Sequence, residues 1–396
     1  MESVAIVGGG PAGATAAERL LTSGSDEAGG VPKVTVFEEK PGWEKPCGGG
    51  LTAKAVRRYP YLMAASCPHT HVQQAELVAA GGEAVRFKLR APLLVYSRSE
   101  LNELLLSRAE RAGASVIRDR ILGFERRGST WHLRGRDGVY EAAYLIVAAG
   151  ARSGLRKLLA PGLAAHDFLL TFGYFAPSAG TLLRVQFFRD FEGYAWAFPR
   201  PDHLSLGIAG KMGETDMKSL RERLHEFMDR FGYSGKQSPV FAHLLPALSA
   251  ESWRGLHLTG DGWAMAGDAA GLVDPLTGEG IYFAMRSADL VASAILTNRL
   301  DEYPSRVWRE FARFHQIGAR MSRRFYKTEF CGKPVTERMV EFCSRSSAFM
   351  NLLQDLFEGT QGYGGLPKRV YRTLAKGAIE MAAGAVKDRL SLDSTV

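Results

Sequence analysis

Apolar positions first form an unbroken run at residues 3–7 (SVAIV), which predicts a short buried strand. The alanine-rich stretch GGGPAGATAAERLLTSG follows directly and predicts a helix opening out of a glycine turn. A second apolar run, Val34-Thr35-Val36-Phe37, predicts a second strand, delayed by the polar insert Ser23–Lys33, which reads as a loop. Strand, helix and strand in this order make a βαβ unit with parallel strands. From His69 to Arg90, alternation of apolar and polar positions predicts a pair of strands; Ser99–Ala112 then has helical spacing with Ser99 as its N-cap. Short strand-like runs fill Ala114–Ala149 and end in YLIVAAG, an apolar run of the parallel-sheet type. Asp167–Ala209 is again β in pattern, Thr215–Phe231 is an amphipathic helix, and Trp263–Gly267 is a short apolar strand. Leu272–Asn298 reads as a turn and a long helix, and the last hundred residues as mostly helical, broken by a loop at 359–367.

Composition narrows the class. With 396 residues, 46% hydrophobic and 23% charged, the chain can bury a sizeable core and is not expected to be disordered. Four scattered cysteines without a CxxC spacing predict neither a disulfide framework nor a metal centre. No run approaches ~18 apolar residues, and the start lacks the charged segment and cleavage site of a secretory signal, so cytoplasmic residence is the expectation. The net charge of +8 gathers late: Arg306, Arg309, Arg313, Arg320, Arg323, Arg324 and Lys327 stand against Glu310 between Tyr303 and Thr328. Aromatics interleave with them (Trp308, Phe311, Phe314, Phe325, Tyr326). That pattern suits a helix that packs its rings inward and exposes its arginines, or one lying peripherally on an anionic membrane. Charge alone is little support for nucleic acid, which is not expected as a partner.

Glycine is the outlier: 44 residues, about 11% against a usual ~7%. Gly8, Gly10 and Gly13 form GxGxxG between the first strand and first helix, with Pro11 and Ala12 inside it. Gly8 serves the tight turn, Gly10 lets backbone N–H groups reach a diphosphate, and Gly13 permits close helix–strand packing. The diphosphate would lie on the positive end of the helix dipole. Glu38 ends the second strand, placed to accept from a ribose diol. A second element lies some 250 residues on: Gly267-Asp268-Ala269-Ala270-Gly271, then Asp274-Pro275-x-x-Gly278-Glu279-Gly280-Ile281. Here Asp268 can bind a ribityl chain and a helix N-terminus can stabilise negative charge on a reduced flavin. A nicotinamide dinucleotide would need no such element, so FAD is the expected cofactor.

The two motifs together resemble the FAD-binding superfamily of aromatic hydroxylases, flavin-dependent halogenases and geranylgeranyl reductases. By that resemblance Arg98, in VYSRSELNELL, contacts the FAD diphosphate or adenosine region. Lys45-Pro46-Cys47-Gly48-Gly49-Gly50 resembles the KPCGG element of geranylgeranyl reductases, whose cysteine is near the flavin. Tyr194, Trp196 and Phe198 share one face of a strand by its period of two and make an apolar wall. With Pro199 they form YxWxFP, the reductase form; halogenases show WxWxIP. Hydroxylases usually carry Asp-Gly where this chain has Ala149-Gly150.

The expected architecture is α/β: a Rossmann-like FAD-binding domain (1–70, 93–160, 255–300), a β-sheet substrate domain (71–92, 161–254) and a helical C-terminal region (301–396). The expected activity is FAD-dependent reduction of isolated C=C bonds in a prenyl substrate, with electrons from NADPH or a ferredoxin-like protein. Cys47 and Tyr194 are the candidates for proton donation. Two other readings stay open: a flavin monooxygenase or halogenase acting on an aromatic or polyketide-like substrate, and a non-catalytic flavin or lipid carrier.

Overall fold

The computed structural model describes residues 3–23, 31–63, 67–177 and 180–376; the middle of the Ser23–Lys33 insert and the last twenty residues lie outside them. Strand β1 (Val4–Val7) is wholly buried and leads through the glycine turn into α1 (Pro11–Ser23). Strand β2 (Val34–Phe37) lies parallel to β1, and the Gly8 N–H donates to the Phe37 carbonyl at 2.8 Å. The loop beyond β2 carries Glu44–Gly49 into β3 (Gly50–Leu51) and α2 (Ala53–Arg58). Strands β4 (His69–Val78) and β5 (Ala84–Tyr96) form the anticipated antiparallel pair.

Helix α3 (Arg98–Arg111) begins a residue before the expected start, and its cap is not Ser99. Ser97 holds the cap position without a side-chain cap bond. The Glu44 carboxylate, from the distant loop, accepts from the N–H groups of Arg98 (2.8 Å) and Ser99 (3.1 Å) instead. A carboxylate at a helix N-terminus satisfies orphan donors and complements the dipole.

Strand β6 (Ser115–Ile117), the meander β7 (Ile121–Arg127), β8 (Thr130–Gly135) and β9 (Val139–Ala142), and β10 (Tyr144–Val147) follow. Next come β11 (Phe168–Pro177), β12 (Leu183–Phe187), β13 (Gly193–Pro199) and β14 (His203–Lys211). Helix α4 (Met217–Phe231) is capped by Asp216, which accepts from the Ser219 N–H at 2.8 Å, and ends at Gly232 in the left-handed region. Strand β15 (Val240–Pro246), α5 (Ala250–Arg254), β16 (Thr259–Gly260) and β17 (Trp263–Met265) lead to α6 (Ile281–Leu296).

Two sheets organise these elements. One has the order β16-β17-β10-β1-β2-β6 and is parallel except for β16; the other runs β15-β11-β14-β13-β12-β4-β5-β3 and is antiparallel except where β12 meets β4. Residues 93–96 and Gly50–Leu51 pair within the larger sheet. α4 covers one face of that sheet through Leu220, Leu224 and Phe227 against Phe172, Leu206 and Ile208. At ~1.5–3 kcal/mol per fully buried side chain, this patch contributes several kcal/mol to holding the sheet.

The opposite face is roofed by helices that follow α6. α7 (Tyr303–Val307) continues through a π-helical turn at Trp308–Ala312 into α8 (Arg313–Lys327), then α9 (Val335–Arg345) and α10 (Ser347–Phe357). Phe311 and Tyr326 are buried, while Arg309, Arg313, Arg320, Arg323 and Arg324 are exposed. Tyr326, Val340, Phe349 and Leu353 pack with Leu77, Phe87, Val185 and Phe187 of the sheet. No helix among the described residues is long and apolar enough to cross a membrane.

Candidate functional site

The glycine turn works by proximity. A Cβ on Gly13 would stand 1.8 Å from the Gly8 carbonyl oxygen, so α1 can approach the end of β1 only with glycine there. At Gly10 the space around an added Cβ is open, and this position faces a cavity of about 1920 Å³. That cavity is continuous. It passes from Gly8, Gly10 and Glu38 by Arg98 and Cys47 to Asp268 and Gly278, and on to Tyr194, Trp196 and Phe198. Pro11, Ala12, Gly48, Gly49, Gly280 and Ile281 also line it.

Four expected site residues do not. Gly13 packs α1 against the turn; Gly267 lies within 2.9 Å (for an added Cβ) of Ala12 and is tied to Ser287 Oγ through its N–H at 3.0 Å. The Pro275 carbonyl accepts from Ser322 Oγ at 3.4 Å, and Pro199 is buried at the end of β13, paired with Leu204.

Charge along the cavity is arranged in three groups. Near the glycine turn, Glu38 accepts from the N–H groups of Gly9 (2.7 Å) and Lys40 (2.8 Å), which hold its carboxylate at the end of β2. Asp268 pairs with Lys45 Nζ at 2.5 Å. Burial opposes its ionisation, but the Lys45 ammonium, with Arg98 behind it, holds the Asp268 carboxyl below its ordinary range.

The second group surrounds Cys47. Its carbonyl accepts from Arg200 and from Ser205 Oγ (2.9 Å), while its Sγ lies 3.3 Å from Arg98 Nη1 and 3.9 Å from Arg200 Nη2. Burial pushes the thiol up, and the two guanidinium groups outweigh it, so its pKa is lowered. The Arg200 side chain is fully buried; it also donates to Glu44 and lies 3.2 Å from His203 Nε2. Gly48 completes the loop: a Cβ there would meet the Phe198 ring at 2.7 Å, so the loop lies flat against the aromatic wall.

The third group sits where the Gly278-Glu279-Gly280 turn enters α6. Glu279 accepts from Thr52 Oγ1 at 3.1 Å. Burial and the neighbouring Asp274 raise its carboxyl to about 7, with Lys54 and the Thr52 hydroxyl opposing. Lys54 Nζ stands 4.3 Å from the centre of the Tyr282 ring, and its own pKa is lowered by burial. Tyr194 donates its hydroxyl proton to the Thr277 carbonyl, and burial raises its pKa, so it stays protonated at neutral pH.

Glu44, Arg200 and Glu279 were not among the residues picked out from sequence. Glu279 had a visible signal, since it lies inside the second glycine motif. Glu44 and Arg200 had none: Glu44 acts on Arg98 across 54 residues and Arg200 on Cys47 across 153.

No family model matches the chain. Over 379 residues it is 28% identical to the geranylgeranyl diphosphate reductase of Oryza sativa subsp. japonica, covering 86% of this chain and 78% of the relative. It is 27% identical to the menaquinone reductase of Mycolicibacterium smegmatis over 81% and 83% of the two. Among solved structures, a geranylgeranyl bacteriochlorophyll reductase-like protein from Thermoplasma acidophilum shares the fold with a TM-score of 0.75 at 20% identity, over 94% of this chain and 99% of that one. A flavin-dependent brominase shares it with a TM-score of 0.67 at 18% identity, over 98% and 99%. The chain is thus similar in sequence, over most of its length, to geranylgeranyl diphosphate and menaquinone reductases and shares its fold with flavin-dependent enzymes, and its two glycine motifs open onto one cavity.

Proposed function

We propose that the chain binds FAD and reduces isolated C=C bonds of a prenyl substrate of the geranylgeranyl type. The observation that carries this reading is the continuity of the cavity from the glycine turn to the aromatic wall of Tyr194, Trp196 and Phe198. Its far part is walled by apolar side chains from the helical roof, including Met339, Phe342, Phe349 and Leu353, which suit a long hydrocarbon rather than a compact polar substrate.

The residues present fit a dinucleotide flavin. Open space at Gly10, the carboxylate of Glu38, a buried Arg98 Nε without a partner among the described residues, and the ionised Asp268 all belong to the lining of the one cavity. Bound FAD, once reduced by NADPH or a ferredoxin-like protein, would supply the hydride that one alkene carbon receives. The second carbon needs a proton, which a side chain facing the cavity can supply. Glu279 is suited to that: its carboxyl stays partly protonated near neutral pH and faces the cavity. Cys47 and Tyr194 remain candidates beside it. The Cys47 thiol loses its proton easily between two guanidinium groups, whereas the Tyr194 phenol keeps its own.

This assignment predicts a pH dependence. Protonated Glu279 is favoured in the folded chain, where its pKa is about 7 against an ordinary 4.5. Its stabilising contribution is therefore full below about 4.5 and is lost as pH rises through about 7. Turnover should fall above about 7 in parallel. Glu279→Gln should slow turnover by ~10²-fold or more and remove that limb of the profile. A Glu279→Gln enzyme with the same profile and rate would return the role to Cys47 or Tyr194.

The function itself is tested by oxygen. Prenyl reduction proceeds without it, while a monooxygenase or halogenase forms no product in its absence. Product that appears only in air would overturn the reading.

A further inference from the structure

The exposed face of α8 carries Arg320, Arg323, Arg324 and Lys327, spaced i, i+3, i+4 and i+7, so the four side chains share one stripe. With Asp190 and Thr328 they line a concavity of about 440 Å³. Arg324 and Thr328 also line the large cavity, where Phe325, Phe330, Val335 and Met339 are their apolar neighbours. The basic concavity thus adjoins the apolar one.

Most arginines of this chain are used structurally. Arg338 donates to the Phe330 carbonyl and pairs with Glu341; Arg306 pairs with Glu302, and Lys327 within the stripe pairs with Glu214. Arg320, Arg323 and Arg324 differ: the Arg324 carbonyl accepts from Thr328, but none of the three guanidinium groups has a hydrogen bond, ion pair or ring contact among the described residues. Three unpaired guanidinium groups face one carboxylate, Asp190, across the concavity. Such a fork of donors matches a phosphate and is weakly matched to an uncharged head.

We propose that this stripe holds the diphosphate or phosphate head of the isoprenoid whose chain enters the neighbouring apolar cavity. The proposal rests on the prenyl-reductase reading and sharpens it. It selects an anionic-headed isoprenoid over an uncharged one such as a quinone, the two substrate types named by the chain's relatives.

Equilibrium binding to the flavin-loaded protein tests this, with geranylgeranyl diphosphate, geranylgeraniol and inorganic diphosphate as probes. The diphosphate should bind at least ~10-fold tighter than the alcohol at low salt, and the advantage should shrink as salt is added. Inorganic diphosphate should compete with geranylgeranyl diphosphate. In the triple variant Arg320→Gln, Arg323→Gln, Arg324→Gln the advantage of the diphosphate should disappear. A wild type that does not discriminate, or a triple variant that discriminates as before, overturns the proposal. Sedimentation with phosphatidylcholine vesicles, with and without phosphatidylglycerol, separates the other source of phosphate. If the triple substitution abolishes binding to anionic vesicles while the diphosphate advantage persists, the stripe is a membrane contact and the proposal fails. If neither isoprenoid binds, yet inorganic diphosphate binds the wild type and not the variant, the anion site stands and the prenyl reading falls.

Discussion

Arg200→Met is expected to lower stability by about 3 kcal/mol, because it strips a fully buried guanidinium from partners that remain. Glu44 would keep its place at the N-terminus of α3 but lose its counter-charge, and the Cys47 carbonyl would lose a donor. The lower end of the ~3–5 kcal/mol range applies because Glu44 is about a quarter exposed and water recovers part of the loss. Urea unfolding should show the midpoint falling with the slope unchanged. A second readout separates position from bulk stability. One of the three cationic groups lowering the Cys47 pKa (Arg98, Arg200 and Lys45) is gone, so its alkylation by iodoacetamide should shift to higher pH. An unchanged midpoint and an unchanged alkylation profile would show that Arg200 does not organise this loop.

Gly13→Ala should abolish flavin retention and weaken the fold together. The new Cβ, whose position the backbone sets, and the backbone Gly8 carbonyl oxygen would lie 1.8 Å apart, and neither can rotate away. Displacing α1 from the end of β1 should cost ~1–3 kcal/mol and open the turn. Gly10→Ala is the informative contrast. Its Cβ would meet nothing within 4 Å in the protein but would project into the cavity, so the fold should survive while flavin affinity drops. Thermal melts of flavin-free protein, set beside the flavin absorbance of the purified variants, distinguish the two. Equal losses of stability in both variants would contradict the division of labour between packing at Gly13 and ligand space at Gly10.

The βαβ unit, its glycine turn and Glu38 were legible because they lie within 40 residues and each is demanded by local backbone geometry. The pairing of β13 with β12 and β14, which places Tyr194, Trp196 and Phe198 on a wall, follows from alternation and short connections. The surroundings of Cys47 were not legible. Glu44 reaches Arg98 through a loop, Arg200 arrives from the end of β13, and Lys45 meets Asp268 across 223 residues. Nothing local in any of these residues requires its partner, since the attraction appears only once the two sheets are assembled. The cap of α3 failed for the same reason: a serine at the expected position was displaced by a carboxylate from elsewhere in the chain. The π-helical turn at Trp308–Ala312 has no periodic signature, although Phe311 within it and Phe314 just beyond it line the cavity.

In the proposed reaction one continuous cavity holds a reduced flavin against a prenyl chain. An anaerobic single turnover tests it most directly: the protein is reduced by dithionite, freed of excess reductant, and mixed with geranylgeranyl diphosphate. Flavin absorbance should return on mixing, and the product should gain two hydrogens for each flavin reoxidised. A flavin that stays reduced until oxygen is admitted, with the isoprenoid recovered unchanged, would contradict it.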